Sequence, residues 1–347
     1  MKQINVAICS FGMSGWVFHA PFVHAHEGFN FYAVWERTKN LAQEKYPRVK
    51  VYRTLEEMLT DDAVDLVVVN TPNKTHYAYA KQALAAGKHV VCEKPFTVTA
   101  VEAQELIALA EREGVVLSVF QNRRYDSDYK TIKAVLDKRL LGDIVEAEFH
   151  FDRFKEELSA KAHKEVLGEG TGALYDLGSH LIDQALQLFG RPKAVFADVV
   201  AMRPVSLVDD YFEVLLYYPR SRVRIRGSYQ VREALPGYVI HGSKGSFIKP
   251  KTDVQEGQLQ EGILPTADGY GIEPESEKGL LHTVHDDKLI REYLPSESGN
   301  YMEYYEGIYT AIVNGTSLPV TAEDGMEVVE VIEAAFKSSN EKKVIEL

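Results

Sequence analysis

Apolar positions along this chain follow two different rules, and the change falls near residue 122. Before it, the short apolar runs at 4–9, 31–34, 66–70, 89–91 and 115–119 lack polar alternation, as strands covered on both faces should. Helical patterns separate them. Residues 76–86 set Tyr77, Ala80 and Leu84 on one face and stop at Gly87. Thr99 and Glu102 stand at capping-box spacing; Ala103, Leu106, Ile107 and Ala110 then mark one helix face, and Gly114 ends it. Repeated strand–helix–strand units predict a doubly wound α/β domain over residues 1–122, with a parallel sheet and right-handed crossovers.

Beyond residue 122 the apolar positions alternate. In 144–152, Val145, Ala147, Phe149 and Phe151 are set against Glu146, Glu148, His150 and Asp152. In 222–226, Val223 and Ile225 alternate with three arginines. Such strands have one wet face and belong to antiparallel or mixed sheets. Further strands are expected at 194–200, 212–218, 238–241 and 247–249, and helices near 129–138, 176–189, 301–313 and 322–338. Residues 250–299 are rich in Gly, Pro and Glu with weak periodicity, and are expected to form long loops. The second domain, 123–347, reads as α+β.

At 347 residues the chain exceeds one hydrophobic core, in keeping with two domains. Its 45% hydrophobic and 26% charged content is that of a soluble globular protein. The net charge of −12 argues against nucleic acid or an anionic membrane as partner. The N-terminus enters a strand pattern directly, and no run of about 18 apolar residues occurs, so a cytoplasmic location is expected. Cys9 and Cys92, each ending a central strand, are expected to be buried reduced thiols.

The first strand runs into Ser10-Phe11-Gly12-Met13-Ser14-Gly15. A Rossmann dinucleotide fingerprint asks for glycine at the tight turn, at the pyrophosphate and at the helix packing point. Gly12 and Gly15 fill the last two places, and Ser10 stands at the first. Past the second strand, Glu36 lies where an acid would hold the ribose 2′-hydroxyl of NAD. Arg37 and Thr38 would instead suit the 2′-phosphate of NADP, so NAD or NADP remains open. In the loop after the fourth run, Thr71 and Asn73 could bond the nicotinamide ribose or the pyrophosphate; Thr75 could equally cap the next helix.

Glu93-Lys94-Pro95 ends another buried strand. A lysine there could polarise a substrate oxygen or relay its proton, and the bond to Pro95 could be cis. Asp176 and His180 stand at i and i+4 and share a helix face, apart from the core stripe of Leu177, Leu181, Ala185 and Leu188. Gly178 would let another backbone or a ligand approach. Metal is the rival use of such groups: His180 with Asp176 or Asp183, or His282 with His285. No cysteine pair or H-E-x-x-H pattern supports it, and no metal is expected.

Ser10 to Gly15, Thr71-Pro72-Asn73 with His76, Ala86-Gly87-Lys88-His89-Val90, Glu93-Lys94-Pro95 and Asp176 to His180 together resemble the Gfo/Idh/MocA oxidoreductases over essentially the whole chain. Gln121-Asn122-Arg123-Arg124, Asp152-Arg153-Phe154, the Tyr175 to His180 stretch, the His241 to Phe247 stretch and Pro319 to Glu323 look like the branch containing the NADP-dependent scyllo-inositol dehydrogenases. The resemblance implies proton transfer shared by Lys94 and His180, with Asp176 holding substrate hydroxyls or orienting His180. It adds Ser14, Pro72, His76, Glu93, Lys94 and Asn122 to the coenzyme-binding residues. It further implies an open, mainly antiparallel C-terminal sheet that binds substrate and builds homodimers or homotetramers. The expected substrate is a small cyclic polyol or sugar, inositol-like. Rival readings are a non-catalytic dinucleotide-sensing regulator, an NAD-dependent redox-assisted glycosidase, and a reductase of open-chain or aromatic carbonyls.

Overall fold

A computed structural model describes residues 3–158 and 165–347. The chain divides into two compact units. The first comprises Met1–Asn122, Gln255–Tyr270 and Asn300–Met326. Its strands are β1 (Ile4–Ile8), β2 (Phe29–Trp35), β3 (Lys50–Tyr52), β4 (Leu66–Val69), β5 (His89–Glu93) and β6 (Leu117–Phe120). They form one parallel sheet in the order β3-β2-β1-β4-β5-β6. Helices α1 (Ala20–Ala25), α2 (Leu41–Lys45), α3 (Leu55–Leu59), α4 (His76–Ala85) and α5 (Ala100–Glu113) make the crossovers. Every residue of β4 is buried, which is why its run shows no alternation. The Thr99–Glu102 capping box forms, and Gly114 ends α5 in the left-handed region at φ 66°. β3, three residues long, is too short to leave a periodic signal.

Two segments from beyond residue 122 belong to this unit, the second of them anchored by tyrosines. Helices α8 (Gln255–Gln260) and α9 (Met302–Asn314) lie in them. Tyr301, Tyr304 and Tyr305 are fully buried at the start of α9. Tyr305 stacks on Phe22, and Phe120 packs against both Tyr304 and Tyr305. Ser118 of β6 donates to the Val320 carbonyl at 2.6 Å.

The second unit comprises Arg123–Val254, Gly271–Gly299 and Glu327–Leu347. It holds α6 (Ser127–Asp137), α7 (Ser179–Phe189) and the later part of α10 (Ala322–Glu341) against a nine-stranded sheet. The strands are β7 (Ile144–His150), β8 (Ala194–Val200), β9 (Tyr211–Tyr217), β10 (Arg222–Ser228), β11 (Tyr238–Gly242), β12 (Gly245–Lys249), β13 (Gly279–His285), β14 (Lys288–Leu294) and β15 (Ile345–Glu346). Their order is β14-β13-β12-β11-β7-β10-β9-β8-β15, antiparallel except for β7 with β10. The expectation of long loops over 250–299 is corrected here: that stretch contains α8 and a β13–β14 hairpin. The hairpin turns on Asp286 and Asp287, both at positive φ (49° and 59°), as a tight turn between twisted strands requires. Its solvent-facing side chains blur the apolar alternation.

Inside this unit lies a buried ion pair. Lys249 Nζ donates to Glu273 Oε2 at 2.5 Å, with both side chains fully buried. Ser127 and Ser296 donate to the same carboxylate at 2.5 and 2.6 Å. Removing the cation alone leaves a buried charge uncompensated. Lys249→Met is therefore expected to lower unfolding free energy by about 3–5 kcal/mol in urea titration. An unchanged midpoint would refute the burial of the pair.

Candidate active site

In a parallel sheet the carboxyl ends of the strands collect ligand-binding loops. In the first unit those ends carry Ser10 to Gly15 after β1, Asn70 to Thr75 after β4, Glu93-Lys94 on β5 and Asn122 after β6. Neither Gly12 nor Gly15 has positive φ, so the turn needs no glycine for its backbone angles. Ser10 fits it for the same reason: its hydroxyl accepts the Gly12 N–H at 3.3 Å, and its carbonyl accepts Asn70 Nδ2 at 2.8 Å. Gly15 is required by packing, since a Cβ there would strike the Ser10 carbonyl oxygen. Gly12 is different. It is exposed, and a Cβ there would meet only ordinary contact with the Ser10 hydroxyl. The bare backbone at Gly12 leaves room for a pyrophosphate to approach, and Asn70 Oδ1 has no protein partner. The turn fits a dinucleotide.

Glu93 is the hub of this unit. Its Oε1 accepts the Ser14 hydroxyl at 2.6 Å and lies 3.1 Å from His19 Nε2; its Oε2 accepts the Lys94 backbone N–H at 3.0 Å. His19 is fully buried, and its Nδ1 lies 2.6 Å from the Tyr305 hydroxyl. Burial opposes ionisation of Glu93, but the His19 hydrogen bond and charge, the Ser14 hydroxyl and the Lys94 charge outweigh it and hold the carboxyl at about 2. The Lys94–Pro95 bond is cis. Lys94 itself is half-buried.

The structure reassigns several side chains. Glu36 is buried, and its two oxygens accept the Leu41 and Ala42 N–H groups, each at 3.1 Å, at the start of α2. Arg53 fixes the loop behind it, donating to the Glu36 and Lys39 carbonyls at 2.8 and 2.7 Å and to Asn40 Oδ1 at 2.6 Å. The Glu36 carboxylate thus caps the start of α2. Arg37 and Thr38 are exposed. His76 is likewise taken up by the backbone, with ring nitrogens 2.8 Å from the Pro95 and Thr71 carbonyl oxygens. Burial lowers its pKa. Thr75 donates to the Pro72 carbonyl at 2.6 Å instead of capping α4, and lies 2.7 Å from the Thr71 hydroxyl. Pro72 is exposed, Asn73 opens a short 3-10 turn, and Asn122 is buried.

In the second unit, Asp176 sits on a π-helical turn, Leu174–Gly178, that leads into α7. Leu177, Leu181 and Ala185 are buried as the core stripe. His180 is buried too, at 5% exposure, which excludes a solvated histidine. Gly178 is explained by packing: a Cβ there would press on Leu174 and approach Phe212. The Asp209 carboxyl, pushed up to about 6 by burial, accepts the Leu174 N–H at 2.7 Å and steadies the turn. Asp183 is taken by Arg124 through two bonds of 2.9 and 2.6 Å, so it is no ligand partner for His180.

Phe151 packs against His180 with ring centroids 6.5 Å apart. Arg123, Arg153 and Lys251 lie 5.2, 5.1 and 5.0 Å from the Phe151 ring. Beside them Asp126, buried near Asp253, Arg123, Lys251 and Asp128, has its carboxyl pushed up to about 7 by burial and the Asp253 charge. His19, Phe151 and Lys251 were not singled out from sequence. His19 ends a π-helical turn, while Phe151 and Lys251 lie just past the ends of β7 and β12, where no spacing marks them.

Comparison with known proteins identifies the family. A family model described as the oxidoreductase family, NAD-binding Rossmann fold, matches residues 4–121, and its C-terminal alpha/beta counterpart matches residues 133–347. The scyllo-inositol 2-dehydrogenase (NADP(+)) IolW of Bacillus subtilis is 40% identical over 100% of this chain and 97% of its own. A candidate oxidoreductase from Bacteroides fragilis has a solved structure with TM-score 0.92 at 44% identity, covering 100% of both chains. The candidate oxidoreductase YvaA of Bacillus subtilis superposes with TM-score 0.96 at 40% identity, covering 100% of this chain and 99% of its own.

Proposed function

Since the chain belongs to the Gfo/Idh/MocA oxidoreductase family and is an NAD(P)-dependent dehydrogenase, we propose that it oxidises, reversibly, a secondary alcohol of an inositol-like cyclic polyol, with NADP as coenzyme. The observation that carries the reading is the Glu93 hub, which fastens the coenzyme turn to the strand end bearing Lys94. The full-length likeness to a scyllo-inositol dehydrogenase supports the substrate class.

A bound nicotinamide coenzyme would supply the acceptor for the hydride of the carbinol carbon. Lys94 donates a hydrogen bond to the oxygen as the ketone forms. His180 accepts the hydroxyl proton, and Asp176 accepts hydrogen bonds from substrate hydroxyls or orients His180. Lys94 and His180 act in proton transfer, and neither needs a metal for that role.

Two features support NADP. Glu36 is engaged at the α2 N-terminus, so its charge does not contest the 2′-phosphate. Arg37 and Thr38, exposed beside it, supply the donors that phosphate needs.

The test is reduction of NADP⁺ or NAD⁺ by purified protein with scyllo-inositol, myo-inositol and glucose, read by reduced-nicotinamide absorbance. NADP⁺ with scyllo-inositol is expected to give the strongest signal; silence with every polyol would overturn the reading. His180→Ala should lose about 10²–10⁴-fold in turnover, and near-normal turnover would remove His180 from the chemistry. Arg37→Ala should raise the KM for NADP⁺ by roughly 10- to 100-fold and leave that for NAD⁺ nearly unchanged. Equal losses with both coenzymes would contradict the phosphate assignment.

A further inference from the structure

Several arginines of the second unit are held by carboxylates. Arg124 is held by Asp183, Arg123 by Asp126 at 3.1 Å, and Arg203 by Asp210 and Glu165 at 2.7 and 3.0 Å. Arg153 meets no carboxylate among the described residues. Its backbone is fixed by hydrogen bonds to Ser228 and Val231, and its guanidinium rests on the Phe151 ring at 5.1 Å. It is half-buried, so a ligand can reach it. A half-buried guanidinium without an anion keeps a planar fork of donors available.

One packing contact puts that fork near the groups assigned to substrate, and the charges around Tyr229 agree with it. Phe151, which carries Arg153, also packs against His180. Burial raises the Tyr229 hydroxyl pKa, and the Asp176 charge adds to this while the Arg153 charge opposes it, so both charges bear on one hydroxyl. A substrate carboxylate at Arg153 would therefore meet the Asp176 charge, whereas a polyol satisfies both groups.

We propose that Arg153 recognises the substrate, its guanidinium donating to the oxygen of a hydroxyl adjacent to the one oxidised, which makes the enzyme selective for vicinal polyols. Asp176 accepts from hydroxyls and Arg153 donates to them, so a run of neighbouring hydroxyls pairs with both. This assignment rests on the dehydrogenase reading above and adds to it the feature of the polyol that is read.

The experiment compares scyllo-inositol with a deoxy-inositol lacking one neighbouring hydroxyl, in wild type, Arg153→Met and Arg153→Lys. Wild type should prefer scyllo-inositol in kcat/KM by about 10- to 100-fold, the worth of one hydrogen bond from a charged donor. Arg153→Met should bring the two substrates to within about threefold by raising the KM for scyllo-inositol, with the coenzyme KM unchanged. Arg153→Lys should recover part of the preference. The thermal shift given by scyllo-inositol to the NADPH-loaded protein should shrink in Arg153→Met, a readout independent of turnover. A merely structural arginine would instead lower both substrates equally and reduce the melting temperature without ligand; that result, or a preference retained in Arg153→Met, overturns the proposal while leaving the dehydrogenase reading intact. Wild type inactive on every polyol overturns that reading itself.

Discussion

A carboxylate taken out of water must be met by donors, or it takes up a proton instead. In this chain Glu93 meets that condition with three donors from separate places: Ser14 on the coenzyme turn, His19 on the π-helical turn that follows, and the backbone N–H of Lys94. Tyr305 holds His19 from behind, within an aromatic cluster that brings residues 300–326 into the first unit. Ser14 and His19 lie 79 and 74 residues away in sequence, so the fold must be formed before both can reach Glu93. Once they do, the glycine turn after β1 and the strand end bearing Lys94 are fixed to each other. Glu93 thus acts through position, and in the proposed reading Lys94 is left to the chemistry.

The proposed NADP preference turns on a second carboxylate. By position, Glu36 reads as the acid of an NAD site. In the fold it lies against the first turn of α2, where two N–H groups and the helix dipole favour it. Position along the chain places a residue at the end of β2; it does not say which way the side chain turns. Arg53, in the loop after β3, fixes that direction through three backbone and side-chain contacts. No spacing rule connects Arg53 to Glu36.

What was legible in the sequence follows from how local each cause is. The buried runs of β1, β4, β5 and β6, the capping box at Thr99 and the glycine stop at Gly114 arise from neighbours a few residues apart. The candidate groups Lys94, Asp176 and His180 stand in compact motifs and could be named directly. His19 could not, because its partners are 74 and 286 residues away. The two π-helical turns, Gly15–His19 and Leu174–Gly178, shift side chains out of ordinary helical phase without a compositional sign, and both occur beside candidate site residues. Gly178 was read as room for a ligand, whereas Leu174 and Phe212 close over it. The β13–β14 hairpin escaped notice because its outward side chains mix polar and apolar types, although Asp286-Asp287 marks its turn.

The central structural claim is that Glu93 remains ionised inside the first unit and so binds the coenzyme turn to Lys94. The most direct measurement is a ¹³C NMR titration of the folded protein labelled at glutamate side-chain carboxyls, with the Glu93 signal assigned by its loss in Glu93→Gln. A carboxyl held at about 2 should show no protonation between pH 7 and 4. A midpoint near 4.5, the ordinary glutamate value, would contradict the account.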